Sequence, residues 1–302
     1  MCSLKVSALL VSYNPDINRL SEVLNSIHSQ VDHLVLVDNG SKNKNDILAL
    51  IADYEGVYTL LNDNNIGLAS AQNVGIDYII DNNLSDFIVF FDQDSVLQSG
   101  FISALLETYT NLVTQNIKLA AVGPSFIDPV NNKQYPATVY AGPFIKRVDL
   151  ERKPVEATFI IASGCFVAIE ALKKIGKMKD ELFIDYIDVE WCLRARSLGY
   201  KIYISPKAVM KHTIGDNRVS IFGRTISVHS PLRRYYLVRN SFYMIRLDYI
   251  PIGYKIREIF FNVVRICISL ALSDDKKKIL HYTITAIKDG VSKKFGPCKK
   301  IL

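Results

Sequence analysis

Five short apolar runs, each followed by polar or helix-forming sequence, constrain this chain more than any other feature. They are VSALLVSY (6–13), HLVLVD (33–38), VYTLLN (57–62), FIVFF (87–91) and LAAVG (119–123). Between them, stretches such as Ile17 to Ser29 and Ser70 to Ile80 carry apolar residues at helical spacing. Strands that are apolar throughout are buried on both faces. Their alternation with helices predicts a mostly parallel sheet flanked by helices. The chain has 302 residues, 49% of them hydrophobic, enough to bury such a sheet. In sheets of this kind ligands gather at the carboxyl ends of the strands. The residues that follow each run are therefore the informative ones.

Those residues are polar. Ser12-Tyr13-Asn14 follows the first run, Asp38-Asn39-Gly40-Ser41 the second, Asn62 to Asn65 and then Gly67 the third, and Asp92-Gln93-Asp94 the fourth. Asn, Asp, Gly and Ser dominate turns everywhere, so one such end says little. Several on one edge say more. Side chains two apart on a strand point the same way. If the extended geometry persists through Gln93, Asp92 and Asp94 face one point, where they can bind a divalent cation, share a proton or cap the next helix. Hard carboxylate oxygens suit Mg²⁺ or Mn²⁺.

Further along, FIIASGCFVAI (159–169) predicts a strand interrupted at Ser163-Gly164. IDVEWCLRARSLG (187–199) predicts a helix stopped by Gly199. YKIYIS (200–205) reads as a strand, AVMKH (208–212) follows it, and the pattern is helical from Pro231 onward. Asp185, Asp188 and Glu190 cluster where that predicted helix begins, a place where acids also favour the helix dipole.

Charge is unevenly spread. Residues 255–302 hold eleven Lys or Arg against four Asp or Glu, which accounts for all of the net +6. Within this tail, polar residues recur at 255, 258, 262, 265 and 269, opposite a broad apolar face. The apolar stretch is too short and too interrupted to span a bilayer. Peripheral attachment to anionic lipid is one expectation, and packing on protein or on a second subunit, as a homodimer, is the other. Six Arg and no acid lie between Arg218 and Arg246, a solvated face or an anion site. The five cysteines share no metal-type spacing, and the N-terminus reads as a strand and not as a signal peptide. A reduced, cytoplasmic chain is the expectation.

The order SYN, DNGS, NIGLASAQNVGI and DQD, each at a strand end, resembles the family 2 glycosyltransferases. So does IDYIDVEWCLRARSLGYKIYISPKAVMKH, in which an acidic motif precedes a strand and a histidine. VDNGS, SGCFVAIEAL, DVEWCLR and HSPLRRYYLVRN are most similar to the rhamnosyltransferase branch. The resemblance implies a GT-A α/β fold over residues 1–230, with a nucleotide-sugar half to about 125 and an acceptor half to about 230. Residues 231–302 would form a helical basic extension. It implies inverting transfer of a sugar, L-rhamnose from dTDP-L-rhamnose, to a hydroxyl of a bacterial surface glycan or its lipid-linked precursor, at the inner face of the cell membrane.

By the same resemblance, Ser12, Tyr13, Asn14, Asp38, Asn39, Asn65, Gly67, Asn73, Asp92 and Gln93 would bind the donor. Asp94, His212 and Asp92 would hold Mn²⁺ or Mg²⁺. Asp188 would be the general base, with Asp185 as the alternative and Glu190 behind both. Ser163, Gly164, Trp191, Arg233 and Arg234 would meet the acceptor. The alternatives are another donor (a UDP-sugar or galactofuranose), a nucleotidyltransferase, or a silent glycan-binding module. A dehydrogenase would want G-x-G-x-x-G after the first strand, and SYNPDINR lacks it. Nucleic acid is not an expected partner.

Overall fold

A computed structural model of the chain describes residues 4–128, 132–211, 217–221, 224–228, 230–273 and 275–298. Its first part is the expected alternation: β1 (Val6–Ser12), α1 (Ile17–His28), β2 (His33–Asp38), α2 (Lys44–Ile51), β3 (Val57–Leu61), α3 (Leu68–Asp81), β4 (Phe87–Asp92), α4 (Phe101–Thr114) and β5 (Leu119–Ile127). A hairpin follows, β6 (Ala137–Ala141) with β7 (Phe144–Val148). Next come β8 (Val155–Glu156), β9 (Phe166–Ala168), α5 (Ile169–Ile175), α6 (Ile187–Ser197) and the long β10 (Lys201–Lys211). A second hairpin, β11 (Asn217–Ile221) with β12 (Arg224–Val228), precedes α7 (Pro231–Met244), α8 (Ile252–Leu272) and α9 (Lys276–Val291).

Eight strands form one sheet in the order β3-β2-β1-β4-β9-β5-β10-β8. β1 pairs in parallel with β2 and β4, β2 with β3, and β5 with β10. β9 runs antiparallel between β4 and β5, and β8 closes the edge antiparallel to β10. Register pairs Ser12 with Asp38 and Val11 with Asp92, so three strand ends lie side by side. One sheet face buries Leu20 and Leu24 of α1 with Leu105 of α4. The other buries Ile76 of α3, Leu172 of α5 and Trp191 of α6. Removing that much apolar surface from water from both sides is what holds a continuous apolar strand in place.

Two expectations change. Residues 159–165 are not strand, and pairing starts only at Phe166. The cause is Gly164, at φ +79°, whose N–H donates to the Phe90 carbonyl at 2.7 Å. A side chain there would come within 2.7 Å of Pro124. Second, the stretches at 200–205 and 208–211 are one strand, with a register shift between Ser205 and Val209 where Pro206 cannot donate to the ladder. The residues on either side of position 125 share one sheet, as β8, β9 and β10 join strands from the first half.

Candidate active site

The ends of β1, β2 and β3 are tied to one another by their own polar side chains. Asp38 is fully buried and accepts from the Ser41 N–H at 3.0 Å, from the Ser41 hydroxyl, and from Ser12 at 3.4 Å. In this structure its carboxylate orders the turn after β2. Asn39 donates to Asn65 at 3.1 Å and accepts from the Ile66 N–H at 3.0 Å, while Asn65 accepts from the Gly67 N–H at 2.9 Å. Asn14, at φ +46°, accepts from the Lys42 N–H and donates its own N–H to Ser41, both at 2.8 Å. Tyr13 is left exposed at the rim.

Gly67 is needed where it stands. It takes φ +90°, and a Cβ would lie 2.5 Å from the Phe183 ring. The Phe183 carbonyl then accepts from the Leu68 N–H at 2.6 Å, capping the start of α3. Asn73 differs from expectation. Its amide donates to the Met178 carbonyl (2.9 Å) and to Asp180 (2.7 Å), and its oxygen accepts from the Met178 N–H (3.0 Å). A fully engaged amide braces α3 against the 178–180 segment and has nothing left for a diphosphate.

β4 ends at Asp92, and the chain turns at once: the Ser95 N–H donates to the Asp92 carbonyl at 3.1 Å. The extended geometry therefore stops before Asp94, and the pleat is not what brings Asp92 and Asp94 together. The turn does so instead. Gln93 has a definite task, accepting from the Tyr13 N–H at 2.7 Å and fastening the β4 end to the β1 end. The Asp92 carboxyl is raised to about 6, first by burial and then by the charges of Asp94 and Asp188, with Arg233 offsetting part of the rise. Among the described residues, no hydrogen bond or salt bridge reaches the carboxylate of Asp92 or Asp94.

The second acidic cluster opens α6. Phe183, Asp185 and Tyr186 all take φ between 63° and 65°, an uncommon region for bulky residues. The segment is held in that shape from α7. Asn240 donates to the carbonyls of Leu182 and Ile184 (2.8 Å each) and of Asp185 (3.3 Å), and Arg239 adds bonds to Glu181 and Leu182. Both residues are fully buried.

The three acids then have three fates. Asp185 is paired with Arg233 at 3.1 Å. Glu190 has no exposed surface and is clamped by Arg194 through two bonds, at 2.8 and 2.9 Å, and by the Tyr249 hydroxyl. Asp188 accepts the Val189 N–H at 2.8 Å, and its carboxyl is pushed up to about 6, chiefly by burial, with Asp185 adding to the rise and backbone N–H bonds opposing it. Among the described residues Asp188 is thus the acid of this cluster without a cationic partner, and it lies close enough to raise Asp92.

The expected acceptor residues are corrected in part. Ser163 is fully buried and bonded to Ser95 at 2.6 Å. Gly164 serves the turn already described. Trp191 is 2% exposed and donates to the Gly176 carbonyl at 2.9 Å, a core role. Arg234 is 3% exposed, beneath the surface that Arg233 reaches. His212 lies outside the described residues. Sequence reading passed over Arg239 and Asn240 as side chains with a task. Their signal is a polar pair on the same helical face as Tyr235 and Tyr236, four residues earlier.

Known proteins resemble this chain in sequence and in fold. Residues 7–176 match the family model described as glycosyl transferase family 2. The chain is 35% identical over 294 residues to the dTDP-rhamnosyl transferase RfbF of Shigella flexneri, covering 95% of each chain. Its fold resembles that of GalNAc-T7 solved with UDP, GalNAc and Mn²⁺ (TM-score 0.59, 15% identity, 95% of this chain and 56% of that one). It also resembles the mannosyltransferase PcManGT of Pyrobaculum calidifontis solved with GDP-Man and Mn²⁺ (TM-score 0.58, 14% identity, 97% and 88%). With a GT-A sheet, polar strand ends on one edge and an acid opening α6, the chain belongs to glycosyl transferase family 2.

Proposed function

We propose that the protein moves L-rhamnose from dTDP-L-rhamnose, with inversion, to a hydroxyl of a bacterial surface glycan or its lipid-linked precursor, with Asp188 as general base. The observation that carries the base is the sorting of charge at α6. Arg233 takes Asp185, Arg194 and Tyr249 take Glu190, and Asp188 keeps a carboxylate raised to about 6. A base poised near neutrality is ionised at working pH yet basic enough to accept a proton. As the acceptor hydroxyl attacks the anomeric carbon, its proton goes to Asp188 and the bond to the diphosphate oxygen breaks on the opposite side. The identity of the sugar is supported by the similarity to the Shigella flexneri enzyme across nearly the whole chain.

Asp92 and Asp94 fit a divalent cation. They are two hard carboxylates that repel each other, Asp92 also facing Asp188, with no hydrogen bond or salt bridge to relieve them among the described residues. They are two ligands and not a full set: among the described residues no group of three or more His, Cys, Asp or Glu could hold a metal. Donor diphosphate oxygens would complete the shell, with His212 as the further candidate on this chain. Oxygen ligands admit Mg²⁺ or Mn²⁺, and an imidazole favours Mn²⁺. When bound, the cation stabilises the charge that grows on the leaving diphosphate. Arg233, beside both Asp92 and Asp185, supplies a cation of the chain's own at the same place.

With a lipid-linked acceptor, transfer takes place at the inner face of the cell membrane. The test is a panel of sugar nucleotides with Mn²⁺ or Mg²⁺, read by the melting temperature and then by product formation. dTDP-L-rhamnose should raise the melting temperature most, and only with the metal present. A larger shift with a UDP-sugar would replace the donor, and no shift with any sugar nucleotide would sink the reading.

A further inference from the structure

α8 and α9 are built inside out. On α8 the buried face carries Glu258 and Asn262, 5% and 6% exposed. Glu258 accepts from the Tyr186 hydroxyl at 2.6 Å and from Arg265 at 3.4 Å. The outward face carries Ile252, Ile256, Ile259, Phe260 and Val263, each between 52% and 72% exposed. Steps of four, three, one and three place them on one stripe along the helix.

α9 repeats the inversion in part. Its inward face is mixed, burying Thr283 and Asp289 beside Ile279 and Ala286, with Asp289 accepting from the Tyr235 hydroxyl at 2.9 Å. It exposes Leu280, Ile284, Ile287 and Val291, between 39% and 59%. A surface helix ordinarily does the reverse. Two consecutive helices that bury several polar groups while leaving nine large apolar side chains outward call for a covering phase.

Charge decides which one. Lys276, Lys277 and Lys278 are exposed where α9 begins, and Lys288, Lys293 and Lys294 where it ends. The acids from residue 275 to 298 are Asp275, which caps α9 beside these lysines, and the buried Asp289, against six exposed lysines. A two-fold contact between copies sets the same patch against itself, lysine cluster near lysine cluster. A bilayer with anionic headgroups offers acyl chains to the apolar stripe and negative charge to the lysines together. Among the described residues no helix is long and apolar enough to cross a membrane.

We infer that α8 and α9 form a membrane-docking face that lies in the plane of an anionic bilayer, with the Ile256–Phe260–Val263 and Leu280–Ile284–Ile287 stripes inserted and the lysines at headgroup level. This deepens the membrane-side location given above and rests on it.

The test is flotation of the full chain with vesicles of phosphatidylcholine alone and of phosphatidylcholine mixed with phosphatidylglycerol. The protein should float with the anionic vesicles, and less so as salt rises. Phe260→Trp should blue-shift on mixing with them. The other tryptophan, Trp191, is 2% exposed and gives a constant background. Phe260→Ser with Ile284→Ser should weaken the partition by roughly tenfold or more, and so should charge reversal of Lys276, Lys277 and Lys278.

Equal partition of parent and variants, no flotation with either vesicle, or a solution dimer that Phe260→Ser splits would each overturn the inference, the last in favour of a second copy. The melting shift with dTDP-L-rhamnose is measured on the same samples. If flotation fails while that shift persists, only the docking face is lost; if the shift itself is absent, the proposed function fails instead.

Discussion

The end of β4 and the start of α6 each gather acids, and they treat them in opposite ways. At α6 the charges are shared out among fixed partners: Asp185 with Arg233, Glu190 with Arg194 and Tyr249. At β4 no hydrogen bond or salt bridge among the described residues reaches the carboxylate of Asp92 or Asp94. A cluster settled by the protein's own cations leaves one member, Asp188, the proposed base, with a carboxyl raised to about 6. A cluster left unsettled is a place for charge that arrives with a ligand. Count of acids is the same kind of signal in both; the partners distinguish them.

The sharpest way to break the comparison is Asp188→Asn. Turnover should fall by about 10²–10⁴ while donor affinity holds, as measured by kcat and by dTDP titration. Near-normal turnover would move the base elsewhere. The same variant should melt at a higher temperature at neutral pH. A carboxyl raised from about 3.9 unfolded to about 6 folded favours folding below the unfolded value and loses that contribution as pH rises through the folded one. Asparagine has no such loss.

Glu190→Ala probes the settled member. It strands Arg194, 11% exposed in its side chain, and should cost about 3 kcal/mol in urea unfolding, the lower end for breaking a buried pair, because the Ile175 and Lys177 carbonyls still accept from it. Turnover per folded molecule should survive, in contrast with Asp188. Asn240→Ala lies between the two. Three carbonyls before α6 lose a donor, at a cost of about 1–3 kcal/mol, and kcat should drop with donor binding kept. Unchanged kcat would show that the left-handed segment does not need α7 to present Asp188.

The smallest effect is graded by pH. Because the proposed base must be ionised to accept a proton, and Asp92, also raised to about 6, to hold a cation, kcat/KM should rise about tenfold or more per unit up to about pH 6 and then level. A profile flat across that range would detach the base from the Asp188 carboxyl.

Much of this was legible in the sequence because the first five strands are continuous apolar runs ending in polar turns, and that pattern depends on local chemistry. Tertiary partners were not legible. Helical spacing offers Arg194 as the partner of Glu190, but nothing there shows that Tyr249 completes the clamp, and nothing in SGCF shows that Ser163 is sealed beneath Ser95. The strand reading of DQD failed for a local reason, a turn immediately after Asp92. The tail's amphipathic period was plain from residue 255 onward. Which face points inward was not, since periodicity fixes the stripe and only packing chooses its side.

The insertion of β9 between β4 and β5 has a consequence for the order in which the molecule is made. Seventy-three residues separate Asp92 from Phe166, so β4 leaves the ribosome well before its neighbour on that side exists. At ordinary synthesis rates the gap is roughly 4–15 s. Through that interval the strand that presents Asp92 has one bare edge, and a bare apolar edge pairs with whatever strand it meets. Crowded or overloaded synthesis should therefore claim this protein at β4 first, before its catalytic edge has been assembled.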